Sequence, residues 1–288
     1  PAYGTLDAVL GHLHVARYPQ RVFGFPTWSS YMSYQGFTVE KAHGTAVISI
    51  NRPPANTYNF ELMKEFDSII EDVRLDTDVN VIILTGSEKI FSAGAVINKL
   101  KQSNPAFKAT FCLHCQETLL ELERTPKIVI AAINGHCVGG GLEIAMACDL
   151  RFMRTGGRIG LPEVTLGVLP GTGGTQRLPR LVGKARALDL MITGRIISPE
   201  EAKNIGLVND VSDGDAVEFA KDYAAKLNAG ATKAIGLIKV AVQEGTEMSL
   251  NNGLAIEREL QNRLFVTEDA QEGLQAFIEK RTPEFKGR

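Results

Sequence analysis

Three short apolar segments, separated by segments with helical spacing, constrain the fold of this chain more than any other feature. They cover residues 46–50, 81–84 and 128–133, and each runs into a turn signal that contains Asn, Pro, Thr or Gly. Between the first two, apolar residues recur every three or four positions over 62–73, behind an Asn59 that can cap a helix. Buried strands that alternate with amphipathic helices predict an α/β fold with an internal sheet.

The pattern becomes mostly helical after about residue 180. Ser198 is expected to cap a helix that has Pro199 in its first turn and ends near Gly206. Further helical candidates cover 214–228, 231–244 and 254–281. Because no low-complexity linker divides the chain, we expect one α/β body that continues into a helical part. The expected limits are an N-terminal extension over 1–36, an α/β core over 37–225 and a helical C-terminal region over 226–288.

Composition excludes several classes of protein. The 288 residues carry 31 Lys and Arg against 33 Asp and Glu, so the formal net charge of −2 argues against nucleic acid or an anionic membrane as partner. No apolar run approaches the roughly 20 residues that a membrane span requires. Residues 1–36 lack the long apolar stretch of a secretory signal. We therefore expect a protein that is not secreted, located in a bacterial cytoplasm or the mitochondrial matrix.

Cysteine usage agrees with a reducing compartment. Four cysteines in a chain of this length do not form a disulfide framework. Cys112 and Cys115 have CxxC spacing, with His114 between them, which raises the question of a metal site. A structural zinc requires four ligands, and no second CxxC or HxxxH follows. Small buried side chains on a helix are therefore the favoured interpretation, and we expect no metal.

The segment 138–143 places three consecutive glycines between a predicted strand and a predicted helix. Glycine lets a backbone approach a ligand closely, and a helix N-terminus offers free N–H groups. The segment matches neither the phosphate-binding P-loop pattern nor the dinucleotide-binding glycine pattern. The glycines alone therefore leave two interpretations open, a ligand-binding turn and an ordinary tight turn.

Two carboxylates make the ligand-binding interpretation more specific. Glu143 begins the apolar helix after the glycines. Glu163 lies in the Gly- and Pro-rich stretch 160–174, which has almost no other charged residue. An acid among apolar residues is a candidate for a raised pKa, and two such acids at one pocket suit acid/base chemistry with water. The backbone N–H groups of Ala95 and Gly140 could form an oxyanion hole, although on spacing alone an ordinary strand-exit loop is the favoured interpretation.

A long ordered series of motifs then resembles one family. The motifs are Ile50–Pro53, Phe91–Ala95, Asn134–Gly135, Gly139–Asp149, Gly160–Glu163, Gly174–Leu178, Thr193–Gly194, Gly206–Val208, Thr267–Asp269 and Phe277–Arg281. Together they are similar to the crotonase superfamily, and most similar to its enoyl-CoA hydratases. The resemblance covers roughly residues 37–288 and leaves the N-terminal arm outside.

The resemblance implies a spiral of repeated ββα units with a helical C-terminal trimerisation region, and a homotrimer or homohexamer. It implies an acyl-CoA thioester as substrate, a lyase reaction of fatty-acid metabolism such as β-oxidation, and no metal or redox cofactor. By position, the N–H groups of Ala95 and Gly140 would hold the thioester carbonyl. Glu143 and Glu163 would hold one water on one face of a 2-trans-enoyl group, with Glu163 favoured as the proton donor to C2 and Glu143 as the group that orients or deprotonates the water.

The same resemblance gives positions for substrate and CoA contacts. They are Ala55, Asn56, Ala93, Val96, Gly139 and Lys280, with Arg281 as a second cation for the CoA phosphates. For the two cations a solvated helix face is an equal alternative. Val96 departs from the family, which often has Asp there, so the acyl specificity is open. Enoyl-CoA isomerisation, a specialised dehydration and a non-catalytic or RNA-binding homologue remain alternatives to hydration.

Overall fold

The computed structural model describes residues 31–288. Its strands are β1 (Tyr31–Ser33), β2 (Phe37–Ala42), β3 (Thr45–Ile50), β4 (Val81–Thr85), β5 (Ile90–Ser92), β6 (Ile128–Ile133), β7 (His136–Val138), β8 (Leu150–Arg154), β9 (Ile159–Gly160) and β10 (Asp210–Ser212). Its helices are α1 (Phe60–Leu75), α2 (Ile97–Gln102), α3 (Pro105–Arg124), α4 (Gly140–Met146), α5 (Gly174–Val182), α6 (Lys184–Thr193), α7 (Pro199–Asn204), α8 (Ala216–Asn228), α9 (Thr232–Thr246), α10 (Leu250–Phe265) and α11 (Glu268–Glu279).

Two sheets organise these residues. The larger has the order β1-β2-β3-β4-β6-β8-β10, with the first two pairs antiparallel and the others parallel. The smaller has the order β5-β7-β9 and is parallel. Each of β4, β6 and β8 is followed by one strand of the smaller sheet and then by helical structure. This repeat confirms the predicted α/β spiral of ββα units.

The large sheet is covered on both faces, as its apolar strands require. All five residues of β4 are buried. On one face α1 packs through an apolar stripe whose members are Leu62, Met63, Phe66, Ile69, Ile70 and Val73. On the other face α8 contributes small residues against β4 and β6. The predicted cap of α1 is confirmed, because the Asn59 side chain accepts the N–H of Leu62 at 3.0 Å.

Several elements differ from the sequence expectations. The helical candidate 254–281 is two helices, because Thr267 has an extended backbone and its hydroxyl caps α11 by accepting the N–H of Ala270. Residues 31–33, grouped above with the N-terminal extension, form β1 at the edge of the sheet, and residues 1–30 lie outside the described part. The expected limit between 225 and 226 falls inside α8. None of the described helices is long and apolar enough to cross a membrane.

Buried charges attach the C-terminal helices to the core. The ammonium of Lys239 on α9 lies 2.8 Å from the carboxylate of Asp149, and both side chains are largely buried. Asp149 also accepts the N–H of Val129 on β6 at 2.8 Å. The buried guanidinium of Arg151 donates to the carbonyl oxygen of Cys148 at 2.6 Å, just beyond the end of α4. These contacts fix the position of α4, and with it the helix that carries Glu143.

Candidate active site

Glu143 lies in the first turn of α4, and its carboxylate points to the loop before α5. Its Oε1 accepts the N–H groups of Thr172 at 2.8 Å and Gly174 at 2.7 Å, and its Oε2 accepts the Thr172 hydroxyl. Burial raises the pKa of Glu143, while these three hydrogen bonds stabilise the ionised form and oppose the rise. The carboxylate is therefore held in one orientation at the floor of the site.

Glu163 starts a 3₁₀ turn that follows β9. Its carboxyl group lies against the backbone of Gly139, where a Cβ would stand 3.3 Å from Oε1. Its Oε2 is buried, and none of the groups in residues 31–288 makes a hydrogen bond with it. Burial, assisted by the charge of Glu143, raises the pKa of Glu163 to about 7, although its own backbone N–H opposes the rise. At neutral pH this carboxyl group can therefore either donate or accept a proton.

The backbone around Ala95 leaves one N–H group free. Tyr58 donates its N–H to the carbonyl of Gly94 at 3.0 Å, and its own carbonyl accepts the N–H of Val96 at 2.9 Å. In such a parallel bridge the amide of the residue between these two points to the opposite side. Within the described chain no acceptor meets the N–H of Ala95. The donor is thus oriented by backbone pairing and available to a ligand.

A second free donor lies beside it. The N–H of Gly140 belongs to the first turn of α4, and no group of the described residues accepts it. The two segments pack backbone against backbone. A Cβ on Gly94 would stand 2.7 Å from the Gly140 nitrogen, and one on Gly141 would stand 2.2 Å from the carbonyl oxygen of Ser92. Positions 94 and 141 require glycine because a Cβ at either one would push the two segments apart. Their close approach brings the N–H of Gly140 next to the segment of Ala95.

The loop before α1 holds this arrangement from the other side. Asn56 has a φ of 48° and is buried, and its Oδ1 accepts the N–H of Arg52 at 2.9 Å. Its Nδ2 donates to two carbonyl oxygens of β5. The carbonyl of Ala55 accepts the N–H of Ala93 at 3.0 Å. The main chain of Asn56 is occupied as well, because its N–H donates to the carbonyl of Arg52 at 2.8 Å and its carbonyl accepts the Ser92 hydroxyl at 2.7 Å. Asn56 therefore fixes the shape of this loop.

A cavity of about 330 Å³ lies between α1, α2 and α3, next to this loop. Its apolar wall consists of Tyr58, Phe60, Val96, Leu100, Phe107 and Phe111. Polar side chains that include Asn59, Lys99 and Asn104 also line it. The rings of Tyr58 and Phe111 meet edge to face, with centroids 6.1 Å apart. A wall of this composition suits an apolar chain.

The two cations suggested for the CoA phosphates differ in their surroundings. Lys280 ends α11 with a φ of 59° and is exposed, and it has no ion pair among residues 31–288. The guanidinium of Arg281 donates to both carboxylate oxygens of Glu272, at 2.6 and 2.8 Å, and to Glu279 at 2.7 Å. The charge of Arg281 is therefore already paired, and Lys280 is the more available of the two.

The CxxC pair lies on α3 without a metal arrangement. In the described part of the chain no group of three or more His, Cys, Asp or Glu could hold a metal ion. Cys112 is half-buried and Cys115 is buried, and both thiols are free. The ring of His114 packs against Phe60 with centroids 5.3 Å apart. The favoured interpretation, helix residues with small side chains packed inside, is confirmed for Cys115.

Sequence reasoning expected the loop 54–58 near CoA, but it gave neither Tyr58 nor Thr172 a place beside the two acids. The hydroxyl of the buried Tyr58 lies against Gly140, where a Cβ would stand 2.0 Å from it. Burial and then the charge of Glu143 raise the pKa of Tyr58, so the phenol stays protonated. Thr172 supplies two of the three hydrogen bonds to Glu143. Both are ordinary loop residues in the sequence, so no spacing or composition signal could have singled them out.

Comparison with curated proteins gives relatives over nearly the whole chain. The chain is 42% identical over 261 residues to a short-chain-enoyl-CoA hydratase from Clostridium acetobutylicum, which covers 89% of this chain and 100% of the relative. It is 38% identical over 252 residues to a 2,3-dehydroadipyl-CoA hydratase from Escherichia coli, with coverage of 87% and 98%. Both relatives are named for hydration of a CoA ester.

Solved structures and a family model agree with these relatives. The crystal structure of an enoyl-CoA hydratase from Geobacillus kaustophilus is 51% identical, with a TM-score of 0.89 over 91% of this chain and 100% of that one. A Bacillus anthracis enoyl-CoA hydratase is 40% identical, with a TM-score of 0.84 over 88% and 100%. The model of the enoyl-CoA hydratase/isomerase family matches residues 40–288. The chain is therefore an enzyme that belongs to the enoyl-CoA hydratase/isomerase family of the crotonase superfamily.

Proposed function

We propose that this enzyme is an enoyl-CoA hydratase that adds water syn across the double bond of a 2-trans-enoyl-CoA thioester. The observation that carries the proposal is the pair of acids at one site. Glu143 is held by three hydrogen bonds, and Glu163 has one buried oxygen without a partner in the described chain. Addition of water requires one proton to be given and one to be removed, which two carboxyl groups can share.

The free N–H groups of Ala95 and Gly140 are proposed to form the oxyanion hole. Attack of water at C3 moves electrons onto the thioester oxygen, which becomes an enolate oxygen. Backbone donors that are already in place stabilise this charge without reorganisation, and loss of one such donor typically costs about 3–4 kcal/mol of barrier. The pairing of Tyr58 with the Ala95 segment keeps one of the two donors aimed at that oxygen.

The acids are proposed to act from one face of the substrate. In its carboxylate form, which the hydrogen bonds from Thr172 and Gly174 favour, Glu143 orients the water and takes a proton from it while the water oxygen bonds to C3. Glu163, whose pKa lies at about 7, gives its proton to C2. Hydroxyl and hydrogen thus add on the same face, and the two carboxyl groups regain their starting states by exchange with solvent before the next turnover.

The CoA moiety is proposed to lie along the loop of Ala55 and Asn56 and the backbone of Ala93. Gly139 and Val96 would then flank the acyl part. Lys280 would contact a CoA phosphate, since its charge has no partner among the described residues, and Lys280→Gln is expected to raise KM without a comparable change in kcat. Arg281→Gln serves as its comparison, because the Arg281 charge is already paired.

The C-terminal helices support assembly as a homotrimer or homohexamer. Leu250 is 79% exposed, Val266 and Phe277 are each 85% exposed, and Ile278 is 73% exposed. Large apolar side chains gathered at this end of the chain indicate an interface between protein surfaces. Light scattering coupled to size-exclusion chromatography should give a mass of three or six chains, and a single-chain mass at micromolar concentration would contradict the assembly.

Loss of the conjugated-thioester absorbance of crotonyl-CoA tests the reaction. We expect rapid loss with the wild-type enzyme and a decrease of at least about 100-fold in kcat for both Glu143→Gln and Glu163→Gln. Glu117→Gln, on the exposed side of α3, removes a carboxylate away from the site and should keep wild-type activity. Activity retained in either acid variant would refute the two-acid mechanism. Conversion to a 3-enoyl-CoA without hydration would identify an isomerase.

A further inference from the structure

Tyr58 stands between the reacting centre and the aromatic cavity. Its hydroxyl lies against Gly140, whose N–H belongs to the proposed oxyanion hole, while the same ring lines the cavity between α1, α2 and α3. The residue is 4% exposed, so neighbouring atoms surround the ring. An acyl chain that leaves the reacting carbons in the direction of the cavity therefore meets the Tyr58 ring first.

The ring is also fixed in this position. Its backbone pairs with Gly94 and Val96, and its edge-to-face contact with Phe111 supports it from inside the cavity. Moving the phenol aside would break the packing against Gly140 or against Phe111. Rotation of the side chain is therefore opposed from two sides.

We propose that Tyr58 sets the chain length of the substrate by closing the inner end of the cavity, so that the enzyme takes short enoyl esters. This inference rests on the proposed hydratase function. On this proposal a four-carbon enoyl group ends in front of the ring, whereas the added methylenes of a longer chain require the volume that the ring occupies. The apolar wall behind it, which includes Phe60, Leu100 and Phe107, would bind a longer chain once that volume is open.

The test compares crotonyl-CoA with trans-2-octenoyl-CoA in the full-length enzyme. The quantity measured is the ratio of kcat/KM for the eight-carbon ester to that for the four-carbon ester, within each variant. The ratio cancels any effect of a substitution that acts on both substrates alike, such as a small shift of the oxyanion hole. The variants are Tyr58→Leu, which shortens the side chain and keeps it apolar, and Tyr58→Phe, which keeps the ring and removes the hydroxyl.

We expect the wild-type ratio to be well below one. Burial of each methylene in an apolar site improves binding by about fourfold, so opening the cavity with Tyr58→Leu should raise the ratio at least about tenfold. Tyr58→Phe should leave the ratio within about twofold of wild type, because the ring still blocks the path. Tyr223→Phe, on α8 at the opposite face of the sheet, should leave both rates unchanged.

Two results would overturn the proposal. One is a wild-type enzyme that hydrates the eight-carbon ester as efficiently as the four-carbon ester, a measurement that does not depend on any variant being folded. The other is a folded Tyr58→Leu enzyme whose ratio is unchanged. If no enoyl-CoA is hydrated by the wild type, the proposed function fails instead. The same ratio can then be taken from the affinities of butyryl-CoA and octanoyl-CoA by calorimetry.

Discussion

Replacement of Glu163 by Gln is expected to change how the stability of the enzyme depends on pH. In the folded chain, burial holds the pKa of Glu163 at about 7, against an ordinary value of 4.5. Between these two pH values the folded state keeps the proton and the unfolded state has lost it. The free energy of unfolding of the wild type therefore decreases as pH rises from about 4.5 to about 7, and this contribution is absent above that range. The side chain that Glu163→Gln introduces cannot ionise, so the variant does not lose this part of its free energy of unfolding as pH rises.

The size of this change in unfolding free energy follows from the pKa shift of Glu163. A pKa difference of about 2.5 units corresponds to about 3 kcal/mol at roughly 1.4 kcal/mol per unit. Since the carboxyl group is only half-buried, solvent screening reduces the expected effect to about 2 kcal/mol. Relative to the wild type, Glu163→Gln should gain this amount of unfolding free energy between pH 4.5 and pH 8. Below pH 4.5 the difference between the two proteins should become constant.

Urea denaturation, monitored by circular dichroism, measures the free energy of unfolding of both proteins. The measurement is made at pH 4.5 and at pH 8, at one fixed protein concentration. Concentration is held constant because subunit association would contribute to the apparent stability. Glu117→Gln is the control, because it removes an exposed carboxylate away from the site. An equal difference between Glu163→Gln and the wild type at both pH values would refute the reasoning. It would mean that the folded environment does not hold a proton on Glu163.

Three further variants test the packing of the site. Gly141→Ala would place a Cβ 2.2 Å from the carbonyl oxygen of Ser92, and we expect kcat to fall at least about 100-fold in steady-state assays because the two donor segments separate. Thr172→Val removes one hydrogen bond from the ionised form of Glu143, so the acid limb of the kcat/KM profile should move to higher pH. Lys239→Met leaves the buried carboxylate of Asp149 without its cationic partner. Denaturation should then show a free energy of unfolding that is about 3–5 kcal/mol lower.

The sequence was sufficient for the main architecture because its long elements have strong periodicity. The apolar strands β4 and β6, the stripe of α1 and the cap by Asn59 all depend on neighbours within a few residues. The strands of the small sheet have two or three residues each, too few for any alternation to be recognised. The break between α10 and α11 was missed because apolar residues on both sides of Thr267 continue the helical spacing.

For the proposed site, the motifs predicted positions along the chain, and tertiary packing determined which atoms meet there. The order of motifs identified Glu143, Glu163, Ala95 and Gly140, and their spacing along the chain says nothing about which atoms meet. The three hydrogen bonds on Glu143 come from residues 29 and 31 positions away, and the carboxyl group of Glu163 lies against the backbone of Gly139. A hydrogen-bond network between distant segments leaves no periodic signal.

The sequence by itself determined the family and the alternation of strands and helices, and it predicted the two acids of the proposed site. Each of these depends on residues that are close together or in a fixed order. The tertiary structure alone decided that Tyr58 packs against Gly140 and that Thr172 holds Glu143. It also decided that two backbone donors on adjacent segments meet no acceptor among residues 31–288. The physical reason is burial. The chain must first bring separate segments together and exclude water from between them. Only then do glycines make close contacts, and only then does burial raise a pKa that hydrogen bonds oppose.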